Sequence, residues 1–228
     1  LLNAVLKDPA VIIYLNNNNN FISNVNENLA REYLELFTLG EGNYAEADIR
    51  NLAKVFAGES VNPISQEYEQ LSVGSGSRGR EVLGKKIVIP EDSVSLVLEM
   101  AAHSSHMAEV FFREYINAEK LDNQTVFSIA KAYFESDFEI SALIRATLES
   151  PAFWAEENRY SLIKDPIDLV LGTARTIGMT NDMDLDFRYF RSAFVNIGYD
   201  LINPPNVAGY PGGMSWIDGG VLEKRIDM

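Results

Sequence analysis

In the stretch that begins at Asn26, Glu27, Arg31 and Glu35 recur at i, i+4 and i+8, and Asn28 with Glu32 forms a neighbouring i,i+4 pair. On a helix that spacing gathers them on one face. A guanidinium among carboxylates suits an anionic or hydroxylated ligand, with Glu27 or Glu32 as general acid or base, its pKa tuned by burial and by Arg31. Asn26, Asn28 and Tyr44 flank the stripe as candidate ligand contacts. The same pattern has a structural reading, because partly buried Glu–Arg pairs fix how a helix docks and asparagines near a helix start act as caps.

A second group is Glu99, His103, His106 and Glu109, whose residue types are those of a zinc or iron site. His103 and His106 are its candidate ligands. The order is not that of a His-Glu-x-x-His protease, and Ser104-Ser105 suggest a helix boundary between the two imidazoles. Capping or packing histidines are the preferred account of the spacing. The third group is the run from Asn203 to Gly213, rich in Pro and Gly, with Asn206, Tyr210 and the nearby Trp216. Aromatics on such a rigid loop can stack on sugars or grip a partner chain, or pack inward and close the core. There is no nucleophile elbow, and no motif that calls for a cofactor.

Composition narrows the partners. The 228 residues hold 19 Lys+Arg against 33 Asp+Glu, a formal net charge of −14. Such a surface repels phosphate backbones and anionic lipid, so neither nucleic acid nor direct membrane insertion is expected. No apolar run approaches the ~20 residues that span a bilayer. Cysteine is absent, which excludes thiolate metal sites, thiol nucleophiles and disulfides. At this length folding buries roughly 70% of the extended chain's surface, so a core needs no staple.

The elements that must position these groups are helical. Asp8-Pro9 opens a short apolar turn through Leu15, and the asparagine run from Asn16 to Asn20 reads as a polar loop exposed to water. Asn24 with Glu27 fits a capping box for a helix carrying Leu29, Tyr33, Leu36 and Phe37 up to Gly40. Asn43 with Glu46 repeats that logic for a helix with Ile49, Leu52, Ala53 and Phe56, ending at Gly58. Their short connection predicts an antiparallel pair.

From about residue 60 to 90 the periodicity fails. Gly74 to Gly79 has linker composition, and Lys86 to Ile89 reads as a short strand. Helical stripes return in Val94–Ala102, Val110–Ile116, Val126–Phe134, Ile140–Leu148, the stretch after Asp165-Pro166 and Leu185–Val195, with a last start at Val221. The expectation is an all-α fold, a bundle-like orthogonal array in one domain over 1–228, with one long irregular insertion and a rigid Pro/Gly loop.

One stretch is denser than any periodicity argument needs. Asn26-Glu27-Asn28-Leu29-Ala30-Arg31-Glu32 leads into Leu36-Phe37-Thr38-Leu39-Gly40 and then Gly42-Asn43-Tyr44 with Asp48. It resembles the signature of the bacterial domain of unknown function 1800 family, with Ala45 where Thr is usual. The likeness continues in order through Lys7-Asp8-Pro9-Ala10, Ala102-His103, Leu148 to Trp154, Lys164-Asp165-Pro166, and Pro204 to Gly213 with Ser215-Trp216.

The resemblance implies an uncharacterised bacterial protein, an N-terminal part of the family domain preceding Leu1, and an exported or envelope-associated setting. Two departures stand out: Glu59 replaces a usual Trp, and a His-Asp-x-Gly-like stretch is missing between Gln66 and Gly84. The expected function is a non-catalytic interaction or scaffold module with a protein or glycan partner. The alternative is a hydrolase with a polar cleft around Glu27, Arg31 and Glu32, with or without a metal ion.

Overall fold

The computed structural model describes residues 1–71, 79–179 and 187–226. The Gly/Ser run from Gly74 to Arg78 and the first residues of the helix expected at Leu185 lie outside them. The described chain is predominantly helical, with two small two-stranded antiparallel sheets. None of its helices is long and apolar enough to cross a membrane. The residues form two compact units, Leu1–Glu109 with Phe127–Leu143, and Val110–Val126 with Ile144–Met228.

The first unit begins with α1 (Leu2–Leu6) and α2 (Pro9–Tyr14). Asp8 starts α2 as expected, its Oδ1 accepting from the N–H groups of Ala10 at 2.8 Å and Val11 at 3.3 Å. The asparagine run is where expectation and structure part. Asn16 does adopt left-handed backbone (φ 56°), but Asn17 and Asn20 are 1% and 0% exposed rather than solvated. The cause lies across the chain, where the C-terminal end of α4 (Glu46–Val55) leaves carbonyls without helical partners. Asn17 Nδ2 donates to the carbonyls of Phe56 (3.0 Å) and Glu59 (2.8 Å), and Asn20 Nδ2 donates to that of Ala53 (2.8 Å).

The signature stretch forms a five-residue α3 (Asn28–Glu32) that widens without a break into a π-helix over Tyr33–Leu39. Its start also differs from the expected Asn24 cap. Asn26 Oδ1 accepts from the Asn28 N–H at 3.0 Å, while Asn24 is tied by backbone bonds to Phe21. Gly40 at φ +80° ends the π segment. The N-cap of α4 is Ala45, whose N–H donates to Asp48 Oδ2 at 2.8 Å, so Asp48 does the capping and not the expected Asn43–Glu46 pair. Leu29, Tyr33, Leu34, Ile49, Leu52 and Phe56 are all within 1% of full burial, and Tyr33 meets Phe56 edge-on at 5.6 Å between ring centroids. These faces make the core of the pair.

Within the irregular stretch the chain forms two hairpins: β1 (Glu59–Val61) with β2 (Tyr68–Gln70), and β3 (Arg80–Val82) with β4 (Lys85–Ile87). Leu83 (φ 49°) and Gly84 (φ 75°) make the tight turn of the second, with both central residues at positive φ. Asp48 Oδ1 accepts from the Leu83 N–H at 2.7 Å, so the residue that starts α4 also holds this turn. The helix α5 (Pro90–Leu98) follows. Next comes α6 (Ala101–Tyr115), which runs unbroken through Ser104-Ser105 where a boundary was expected. Serine tolerates a helix interior where its hydroxyl need not compete for the backbone, and packing overrides its weak propensity.

After α7 (Asn123–Glu135) and α8 (Ile140–Leu148), Ser150 caps the short α9 (Pro151–Trp154), which puts the expected interruption at Pro151. In the second unit α10 (Pro166–Thr176) and α11 (Phe187–Asn196) pack around Val170, Phe194 and Ile197. Asp165 caps α10, its Oδ1 accepting from the Asp168 N–H at 2.7 Å. The Pro/Gly loop is irregular as expected, and α12 (Gly219–Ile226) closes the described chain.

Candidate functional site

The Glu27/Arg31 stripe is present on α3, but its principal partner was not legible in the local spacing. Arg31 Nη1 and Nη2 donate to the two carboxylate oxygens of Glu46 at 2.9 and 3.0 Å, a planar two-point pair reaching across to α4. Glu27 is farther, at 3.5 Å from Nη2. The Glu46 bonds raise the guanidinium pKa and lower that of the Glu46 carboxyl. Tyr44 donates its hydroxyl to Glu35 Oε2 at 2.6 Å, and burial followed by this bond raises the phenol pKa. Asn26 and Asn28 point their amide nitrogens back at the chain, to the carbonyls of Asn16 and Leu15, each at 3.2 Å.

Glu32 is the exception on this face. Burial, with the neighbouring Glu35 carboxylate, raises its pKa, and Arg31 offsets that only in part.

Behind the stripe lies the π segment. Its carbonyls are offset from the ordinary helical ladder, and the widened turn exposes oxygens that need donors. Thr38 Oγ1 donates to the Tyr33 carbonyl at 2.6 Å. Asn43 Nδ2 donates to the Leu39 carbonyl at 2.9 Å. The two histidines complete the set: His103 Nδ1 donates to the Thr38 carbonyl and His106 Nε2 to the Leu36 carbonyl, both at 2.9 Å. With Nδ1 so protonated, neutral His103 presents an acceptor at Nε2, which faces the Tyr133 hydroxyl at 3.4 Å. His103 is 2% exposed, and burial lowers its pKa. Among the described residues no group of three or more His, Asp or Glu is placed to hold a metal ion.

Three residues of consequence were given no role by the sequence reading. Tyr133 carries no motif, and Thr38 stood in the family-like run without a role of its own. Glu59, buried to 2% exposure, accepts from Gln70 Nε2 at 2.8 Å and from the Tyr68 hydroxyl, and burial raises its pKa against those two bonds. Only its departure from the family pattern drew attention to it.

In the second unit the two aromatics expected near the C-terminus do come together, joined by Tyr199. Tyr199 and Tyr210 stack at 4.6 Å between centroids, and Trp216 lies 5.3 Å from Tyr210 and 5.9 Å from Tyr199. Trp216 is 7% exposed and Tyr210 half-buried, the inward arrangement, while Asn206 is exposed.

The order of these motifs agrees with a match over residues 1–228 to the family described as Protein of unknown function (DUF1800). The chain belongs to that family. No curated protein and no solved structure matches it. The stretch that carries the resemblance forms the α3–π–α4 hairpin: it supplies Arg31 for the pair with Glu46, Thr38 for the π segment and Gly40 for its exit.

Proposed function

We propose that this DUF1800 chain is a non-catalytic interaction or scaffold module of an exported or envelope-associated protein, the setting resting on the family resemblance alone. The observation that carries the reading is the two-point Arg31–Glu46 pair. A guanidinium whose fork already grips a carboxylate is not free to clamp a ligand, and this one joins α3 to the start of α4. Tyr44, Asn26 and Asn28 likewise satisfy groups of their own chain. The signature stretch therefore reads as a device that fixes a π-containing hairpin.

Neutralising the pair tests it. Arg31→Gln and Glu46→Gln should each lower Tm, and the double variant should lower it by less than the sum of the two, because either single change already breaks the pair. Losses that simply add remove the structural account.

One observation favours the hydrolytic alternative: Glu32, half-buried with a raised pKa beside Arg31, is the residue of this face suited to donate a proton. Turnover of chromogenic ester, phosphate or glycoside substrates that disappears in Glu32→Gln at unchanged Tm would replace the scaffold reading.

A further inference from the structure

A cavity of about 500 Å³ opens within the second unit, inside the range usual for small-ligand sites. One wall is the Tyr199, Tyr210 and Trp216 cluster, and Arg113, Lys164, Asp165 and Asp168 also line it. We propose that this cavity binds a neutral saccharide, an inference that rests on the interaction-module reading and names its partner.

The aromatics decide the ligand class. At 4.6, 5.3 and 5.9 Å between centroids they pack on one another and form a single wall. A quaternary ammonium is best held by rings on several sides, whereas a pyranose offers one C–H face to one aromatic surface. The remaining lining has both signs of charge, with planar carboxylates and a guanidinium whose paired oxygens and N–H groups match vicinal hydroxyls. Among the described residues none of these four makes an ion pair; Arg113 Nη1 donates to the Ala118 carbonyl at 2.6 Å and Asp165 Oδ1 accepts from the Asp168 N–H, so the side chains of Lys164 and Asp168 are the polar groups offered to a ligand. Free phosphate or a nucleotide would meet the carboxylates of a chain whose net charge is −14.

The wall is also held in place before any ligand arrives. The Tyr210 hydroxyl accepts from the Asp200 N–H at 2.7 Å and donates to the Asp200 carbonyl at 3.2 Å. Arg225 donates to the carbonyls of Trp216 at 3.1 Å and Lys164 at 2.6 Å, tying the aromatic and charged sides together. A surface fixed in this way loses little conformational entropy on binding.

The test uses the full chain carrying Trp154→Phe, which leaves Trp216 as the fluorescent reporter. Chitotetraose, cellotetraose and maltotetraose are titrated in turn, with calorimetry as a second readout. A saturable change is expected for at least one, with Kd weakened at least tenfold by Tyr199→Ala and by Asp168→Asn at unchanged circular dichroism. Asp168 is exposed and outside the core, so its variant remains informative where Tyr199→Ala fails to fold.

No saturable binding of any of the three, or a Kd that both variants leave unaltered, overturns the proposal. Choline binding without saccharide binding also overturns it, while the interaction-module reading stands. New reducing ends released from a bound tetrasaccharide support the saccharide and overturn the non-catalytic reading instead.

Discussion

A primary amide carries two donors and an acceptor on one short side chain, and Asn20 places all three inside the protein. Its Nδ2 donates to Asn17 Oδ1 at 3.0 Å and the Ala53 carbonyl at 2.8 Å, and its Oδ1 accepts from the Asn26 N–H at 3.0 Å. Asn20→Ala leaves a helix-end carbonyl and a backbone N–H without partners, and should cost about 2–4 kcal/mol. Asn20→Asp keeps the shape but turns two donors into an acceptor facing oxygens, so it should be worse than Ala. Urea unfolding reads both as a shift in midpoint at constant m-value, and a shift below about 0.5 kcal/mol would show the amide to be dispensable. The sequence told of a turn at Asn16 but not of this burial. Five asparagines in a row are solvated unless some remote segment lacks donors, and the needy carbonyls belong to residues 33 and 39 positions away.

Gly40 was readable as a helix end, but its second constraint was not. A Cβ there would stand 2.8 Å from His106 Nδ1, on a backbone at φ +80°. Gly40→Ala should therefore destabilise by about 1–3 kcal/mol, from left-handed strain together with displacement of the imidazole that caps Leu36. Thermal unfolding checks it, and a neutral result would mean that the imidazole moves aside freely.

At the scale of elements, the helical hairpin was legible because Leu29, Tyr33, Leu36, Phe37 and then Ile49, Leu52, Phe56 keep a 3.6-residue rhythm. The π widening was not: its wider turn buries Leu34, Thr38 and Leu39 and leaves the expected Leu36 and Phe37 only half-buried, so the 3.6-residue rhythm misplaces the inward face there. Nor could spacing say that α6 would bring two imidazoles to this segment's carbonyls, 65 and 70 residues away. That arrangement makes the hairpin pH-sensitive. Burial holds the His103 pKa below its ordinary value of about 6.5, so the unfolded chain binds the proton more readily than the folded one. His103 therefore contributes stability that is complete above about pH 6.5 and is lost as pH falls through the lower folded value. Charging it also turns Nε2 from acceptor to donor opposite Tyr133. Tm measured between about pH 7.5 and 5 should fall more steeply for the native chain than for His103→Asn. Equal slopes would assign the acid loss to other groups.

For the whole molecule the dominant legible quantity is charge. Fourteen negative charges remain after the 19 basic residues are set against the 33 acidic ones. The ion pairs do not neutralise this field. Arg31–Glu46, Lys7–Glu91, Lys85–Glu99, Lys131–Glu135, Arg145–Glu149 and Arg159–Glu156 all involve at least one side chain a third or more exposed. Pairs this exposed add little to stability, and salt weakens them. The two electrostatic effects of salt thus oppose one another: screening removes a little attraction from a few short contacts and much more repulsion among the excess carboxylates. Repulsion reaches farther than contact distance, so a Debye length cut from about 20 Å to about 6 Å suppresses it over most of the surface. Burial acts in the same sense at two sites, since Glu32 and Glu59 with raised pKa values already disfavour their charged forms in the fold. Raising sodium chloride from about 20 to about 300 mM should therefore raise Tm, and the rise should shrink as pH drops toward the carboxylate range and the excess charge is titrated away. A Tm that falls with salt at neutral pH would mean that the exposed pairs, Arg31–Glu46 foremost, outweigh the net charge.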